Sequence, residues 1–129
     1  MKIFLADDHP LYRMALSGLL QQLDENVTVV DCCNFGELQN ALASTEQKPD
    51  LILLDLSMPG MEYETAISAL KRHYPEISLV IVSGTEEIAD MSRVLNLGAE
   101  GFIPKSSSRD VLLSAIRLVL SGGKYIPAQ

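Results

Sequence analysis

Short apolar runs alternate along the chain with stretches whose apolar residues recur every three or four positions, the periods of strands and helices. Lys2-Ala6, Val27-Cys32, Leu51-Leu54, Leu79-Val82 and Gly101-Lys105 predict strands. The third run is apolar at every residue, as expected of a strand covered on both faces. A helix is predicted from Pro10, a good first-turn residue, to about Leu23, with Tyr12, Leu16, Leu19 and Leu23 on one face. Asn34 suits the N-cap of a second helix running to about Ser44. A third helix follows Gly60, carries Ala66, Ile67 and Leu70, and stops before Pro75. Gly84 or Thr85 is expected to cap the fourth, with Glu86 and Glu87 in its first turn and Gly98 ending it. Ser107 with Asp110 resembles a capping box for the last helix, which runs to about Leu120 ahead of Gly122-Gly123.

Strands that alternate with helices in this way imply an α/β fold: a parallel sheet with helices on both faces and right-handed crossovers. Pro104 lacks a ladder N–H, so the last strand belongs at a sheet edge. The last helix is apolar almost all round. Val111, Leu112, Ala115, Ile116, Leu118 and Val119 form the expected core stripe, and Leu113 and Leu120 widen it beyond one buried face. This surplus predicts a homodimer or interdomain contact through that helix.

Composition narrows the picture. The 129 residues suit one domain, and 47% hydrophobic with 21% charged residues suits a folded soluble chain. No apolar run approaches the ~18 residues of a membrane span. The opening MKIFLADDHP turns acidic too soon for a signal peptide, so a cytoplasmic location is the default expectation. The adjacent Cys32 and Cys33 rarely suit a mutual disulfide and read as small apolar residues in a reducing compartment. A net charge of −7, from 17 acids against 10 scattered bases, disfavours direct nucleic-acid binding.

In open parallel sheets, ligands bind beyond the carboxyl ends of the strands. The first strand ends there in Asp7-Asp8, the third in Asp55, the fourth in Ser83 and the fifth in Lys105. Converging carboxylates repel, by about 4 kcal/mol per pair at ~4 Å and an effective dielectric near 20. A cation relieves this, and an all-oxygen set with open positions suits Mg²⁺. Metal, lysine and hydroxyl together can hold three phosphoryl oxygens while a carboxylate attacks phosphorus. Asp55 is the better nucleophile, because it stands alone while Asp7 and Asp8 can share the metal. His9 reads as a cap-region or surface residue, and His73 as a cation suited to a helix end. Ser83 has no histidine at a spacing that would make it a nucleophile.

DDHP at 7–10, LILLDLSMPG at 51–60, VIVSG at 80–84 and GAEGFIPK at 98–105 resemble the receiver domain of two-component response regulators. DDHP and the GGKYIP ending resemble the NarL/FixJ subfamily, whose members usually carry a C-terminal LuxR-type helix-turn-helix. The resemblance covers residues 1–122 and implies a flavodoxin/CheY-like (βα)5 fold with strand order 2-1-3-4-5. Residues 123–129 would begin a linker to an absent DNA-binding domain. By position, Asp55 matches the phosphoacceptor. Asp8 and Asp55 match direct Mg²⁺ ligands, Asp7 one acting mostly through water, and Ser57 the backbone-carbonyl ligand. Lys105 matches the phosphate-pairing lysine, and Ser83 and Phe102 match the switch pair. Ser57 and Thr85 match positions that tune phosphoryl lifetime. A sensor histidine kinase is the implied donor, and the chain is implied to be a regulator and not a conventional enzyme.

Three departures stand out. Met61-Glu62-Tyr63 replaces the usual Met-Asp-Gly, so Tyr63 fills a position where glycine normally permits a left-handed backbone. Ser106 follows Lys105 in place of the common proline, so no cis peptide is expected there. Phe102 has no hydroxyl, so any switching it does is by packing alone. Two other readings stay open. A haloacid-dehalogenase-type Mg²⁺ phosphohydrolase uses similar groups, but wants a D-x-D on the first strand and a cap domain. A degenerate receiver that only binds partners would lack an acid or the lysine, and none is missing.

Overall fold

Asp55 closes a central strand because of how ten elements are ordered in this computed structural model, which describes residues 1–127. They are β1 (Lys2–Ala6), α1 (Pro10–Leu20), β2 (Thr28–Cys32), α2 (Phe35–Ser44), β3 (Leu51–Asp55), α3 (Tyr63–His73), β4 (Ser78–Ser83), α4 (Ile88–Asn96), β5 (Gly101–Pro104) and α5 (Arg109–Leu120). The strands form one parallel sheet in the order β2-β1-β3-β4-β5. This is the CheY-like receiver arrangement that the resemblance implied.

Alternation along each strand divides the interior in two. Phe4, Ala6, Ile52, Leu54, Ile81 and Phe102 face α2, α3 and α4, where Leu38, Ile67 and Val94 meet them. Ile3, Leu5, Leu53, Val82 and Ile103 face α1 and α5, where Leu16, Leu20 and Ile116 meet them. Every residue of β3 is buried, as its unbroken apolar run required. No helix among the described residues is long and apolar enough to cross a membrane.

β5 is an edge strand, as Pro104 required. Lys105 N–H points inward to the Ser83 carbonyl, so the backbone nitrogens of Phe102 and Pro104 point away from β4, toward the sheet edge. The Phe102 N–H donates to the Tyr125 carbonyl, and Pro104 has none to satisfy. The chain after Gly122 therefore lies against β5 as far as Tyr125; residues 128 and 129 of the expected linker lie outside the described residues.

Several element ends differ from expectation. α1 closes at Leu20, since Gln22 and Leu23 donate back only three residues and tighten the last turn. α4 is capped by Glu87, not by Gly84 or Thr85. The Ser83 and Thr85 hydroxyls accept from the N–H groups of Thr85 and Glu87, building two turns that delay the helix. α5 is capped by Ser108, whose hydroxyl accepts from Val111 N–H, because Ser107 is taken into a turn on Pro104. The α5 face is also rotated: Leu113 is buried, while Val111 and Leu118 face outward. The α2 cap stands where the sequence put it, with Asn34 Oδ1 accepting from Glu37 N–H at 2.8 Å. Asn34→Ala is expected to lower stability by about 1 kcal/mol in urea unfolding; no measurable loss would mean the cap bond is replaced by water.

Candidate functional site

The sheet changes winding direction between β1 and β3, and the crevice at their carboxyl ends holds the acids. Asp7 follows Ala6 directly, its N–H still in the ladder to Cys32, and its side chain is buried. Asp55 is the last residue of β3 and is 2% exposed. Asp8 is partly exposed beside them. Lys105 follows β5 and reaches back across the crevice. Its Nζ stands 2.9 Å from Asp7 Oδ2 and 3.5 Å from Asp55 Oδ1, above the Tyr12 ring. Arg13 donates to the Asp7 carbonyl and fixes the strand end from the α1 side.

Asp7, Asp8, Asp55 and Lys105 therefore meet, as the sequence indicated. Ser83 is fully buried on the neighbouring strand, one residue beyond Val82, the β-partner of Asp55. Phe102 lies lower, inside the α2–α4 core with no exposed surface. Ser57 donates its N–H to Asp55 Oδ1 at 3.3 Å.

The sequence reads His9 as a cap-region or surface residue, and it is both: the N-cap of α1, with a side chain 61% exposed. Its ring does more than that position suggests. Nδ1 lies 3.1 Å from Asp7 Oδ1, 3.3 Å from Asp8 Oδ1, 3.9 Å from Asp55 Oδ2 and 3.2 Å from Lys105 Nζ. Tyr12 is the other missed residue. Burial, with the charges of Asp7 and Asp55, pushes its phenol up to about 12, so it stays protonated beneath Lys105. The adjacency of His9 to the acid pair was the only signal for it, and Tyr12 looked like ordinary core.

Tyr63 does not take a left-handed backbone; among the described residues positive φ occurs only at Gly60, Gly98 and Gly122. It opens α3, and its hydroxyl donates to Asp90 Oδ1 at 3.1 Å and accepts from Arg93, tying α3 to α4.

Asp55 Oδ2 and Asp8 Oδ1 are buried atoms without a hydrogen-bond partner among the described residues. Orphaned carboxylate oxygens in a hard-oxygen donor set fit a divalent cation such as Mg²⁺. Burial first, and the charge of Asp7 second, raise the Asp55 pKa; Lys105 and the Ser57 N–H act against them. The fold then holds that proton more tightly than the unfolded chain does. Stability of the metal-free chain should fall as pH rises from the ordinary carboxylate range through the raised pKa. Asp55→Asn is expected to raise the melting temperature in EDTA at pH 7 by a few degrees, on the order of 1 kcal/mol. The gain should vanish in acid, and an unchanged melting point at pH 7 would remove the argument.

The family profile of the response regulator receiver domain matches residues 3–117. The glycerol metabolism activator of Pseudomonas putida is 38% identical over 128 residues, covering 98% of this chain and 57% of that protein. Response regulator GacA of Pseudomonas syringae pv. syringae is 34% identical, covering 100% of this chain and 59% of the relative. The chain thus spans less than two thirds of these relatives. The non-phosphorylated receiver domain of the stress response regulator RcsB from Escherichia coli superposes with a TM-score of 0.87 at 32% identity, covering 99% and 98% of the two chains. The isolated RcsB domain from Salmonella enterica serovar Typhimurium, solved with the phosphomimetic BeF3-, gives 0.87 at 31% identity, covering 98% and 93%. With the acids and the lysine gathered at one rim of a 2-1-3-4-5 sheet, this chain belongs to the receiver domains of two-component response regulators, a regulatory family whose homologues here include transcriptional regulators.

Proposed function

We propose that Asp55 of this cytoplasmic chain accepts a phosphoryl group from the phosphohistidine of a sensor histidine kinase. The observation that carries this is a buried Asp55 with an unpartnered Oδ2, set between Asp7, Asp8 and Lys105. A carboxylate oxygen of Asp55 forms the bond to phosphorus while the P–N bond to the donor breaks. The imidazole keeps that electron pair and takes a proton from solvent. Asp8 and Asp55, the Ser57 carbonyl and Asp7, mostly through water, would hold Mg²⁺, which when bound neutralises phosphoryl charge.

The chain's own groups account for the response. Lys105 leaves Asp7 for a phosphoryl oxygen, and the Ser83 hydroxyl donates to another. The loops after β3 and β4 follow these two groups, and Phe102 repacks in the core beneath them. Residues 1–122 act as the receiver, with 123–129 leading toward an output domain that binds DNA. Outward-facing Val111 and Leu118 of α5 supply apolar surface for a homodimer.

Incubation with Mg²⁺ and acetyl phosphate tests the reading. Intact mass should rise by one phosphoryl group per chain, EDTA should prevent it, and sedimentation of the labelled chain should shift toward a dimer. A chain that stays unlabelled would falsify the acceptor role; one that labels but stays monomeric would end only the dimer. Steady release of inorganic phosphate with no label at saturation would favour a phosphohydrolase instead.

A further inference from the structure

We propose that His9 makes the acid pocket a site for a borderline transition-metal ion of the Zn²⁺ or Co²⁺ class. Its imidazole Nδ1 adds to the carboxylates of Asp7, Asp8 and Asp55, and such an ion competes there with Mg²⁺. This rests on the reading of the pocket as a divalent-cation site.

Four observations carry it. One ligand atom from each of Asp7, Asp8, His9 and Asp55 falls in a cluster within 4.8 Å of one another. Two ligands each ~2.1 Å from a single ion stand ~3 to ~4 Å apart. The distances from His9 Nδ1 to the three carboxylates, 3.1, 3.3 and 3.9 Å, fill that span. Second, Asp55 Oδ2 is buried, unpartnered and the farthest of the three, so a ligand position waits on the side His9 faces.

Third, the Lys105 ammonium already occupies the cation position among these groups. Its Nζ stands 3.2 Å from His9 Nδ1, 2.9 Å from Asp7 Oδ2 and 3.5 Å from Asp55 Oδ1. A metal ion can take the place of that ammonium. Fourth, the His9 side chain makes no capping bond to α1, and although 61% exposed it keeps its Nδ1 edge toward the acids.

Ligand chemistry sets the ion. Mg²⁺ demands oxygen and gains little from imidazole, whereas Zn²⁺ and Co²⁺ accept mixed nitrogen and oxygen sets. His9 therefore discriminates between the two classes and leaves Mg²⁺ almost untouched.

Calorimetric titration of the wild-type chain and His9→Ala with Zn²⁺ and separately with Mg²⁺, at one pH, tests this. The variant should bind Zn²⁺ about tenfold more weakly or worse, with Mg²⁺ affinity kept within about twofold. Co²⁺ absorption should lose its imidazole-dependent visible band in the variant. Retained Mg²⁺ binding certifies that the variant is folded. Unchanged Zn²⁺ affinity, or Zn²⁺ and Mg²⁺ affinities falling together, overturns the role of His9. Absence of Mg²⁺ binding in both proteins, with a Zn²⁺ difference intact, would instead strike the Mg²⁺ site and leave His9 standing.

Discussion

Asp55→Asn is expected to abolish phosphoryl labelling by acetyl phosphate, with no mass increase at times when the wild-type chain is fully labelled. An amide oxygen is a poor nucleophile and its loss of charge removes a cation ligand, so both requirements fail together. Neither neighbour can substitute. Asp7 accepts from the His9 N–H and pairs with Lys105, so both of its oxygens are engaged. Asp8 is partly exposed and off the end of β1, not at the end of β3 facing Lys105. The same variant should melt higher in EDTA, so lost labelling could not be blamed on unfolding. Lys105→Ala should slow labelling about 10²-fold without removing it, the scale of losing one donor to a developing phosphoryl charge. Labelling of Asp55→Asn at a residue other than Asp55 would reassign the acceptor.

Phe102→Ala is expected to cost about 3–5 kcal/mol, the usual range for emptying a buried aromatic site. Phe102 has no exposed surface, pairs across the sheet with Ile81, and belongs to the cluster facing α2, α3 and α4. A domain of this size has ~5–15 kcal/mol in all, so the variant should be close to unfolding at room temperature. Urea midpoints of the wild type, Phe102→Ala and Phe102→Leu measure this, with leucine restoring most of the loss. A cost below about 1 kcal/mol would mean the surrounding side chains collapse into the space. Phe102→Leu, if it labels at the normal rate, isolates the packing role. Its failure to propagate the response while still labelling would support Phe102 as a switch residue.

The strands were legible because their apolar runs are short and end in polar residues that no core accommodates. Asp55 is the clearest case: four aliphatic residues lead into one carboxylate, and only a strand end at a crevice makes that sequence stable. Asn34 and Pro104 were legible because each acts through its own backbone, one by capping and one by lacking an N–H. The caps of α4 and α5 were not. Ser107 and Ser108 carry the same hydroxyl, and the choice between them rests on whether the turn after Pro104 consumes one residue or two. The face of α5 failed for a related reason: nearly every position is apolar, so periodicity alone could not say which side the sheet takes.

By itself, the sequence determined which residues stand at the strand ends, since alternation, breakers and charge are written locally in the chain. The sheet decided the rest. Only the parallel order β2-β1-β3-β4-β5 sets Asp7 beside Asp55, and only the crossing of α1 over that rim turns the His9 ring toward both. Such meetings depend on contacts between residues far apart in the chain, 96 positions in the case of His9 and Lys105, and no local pattern records them.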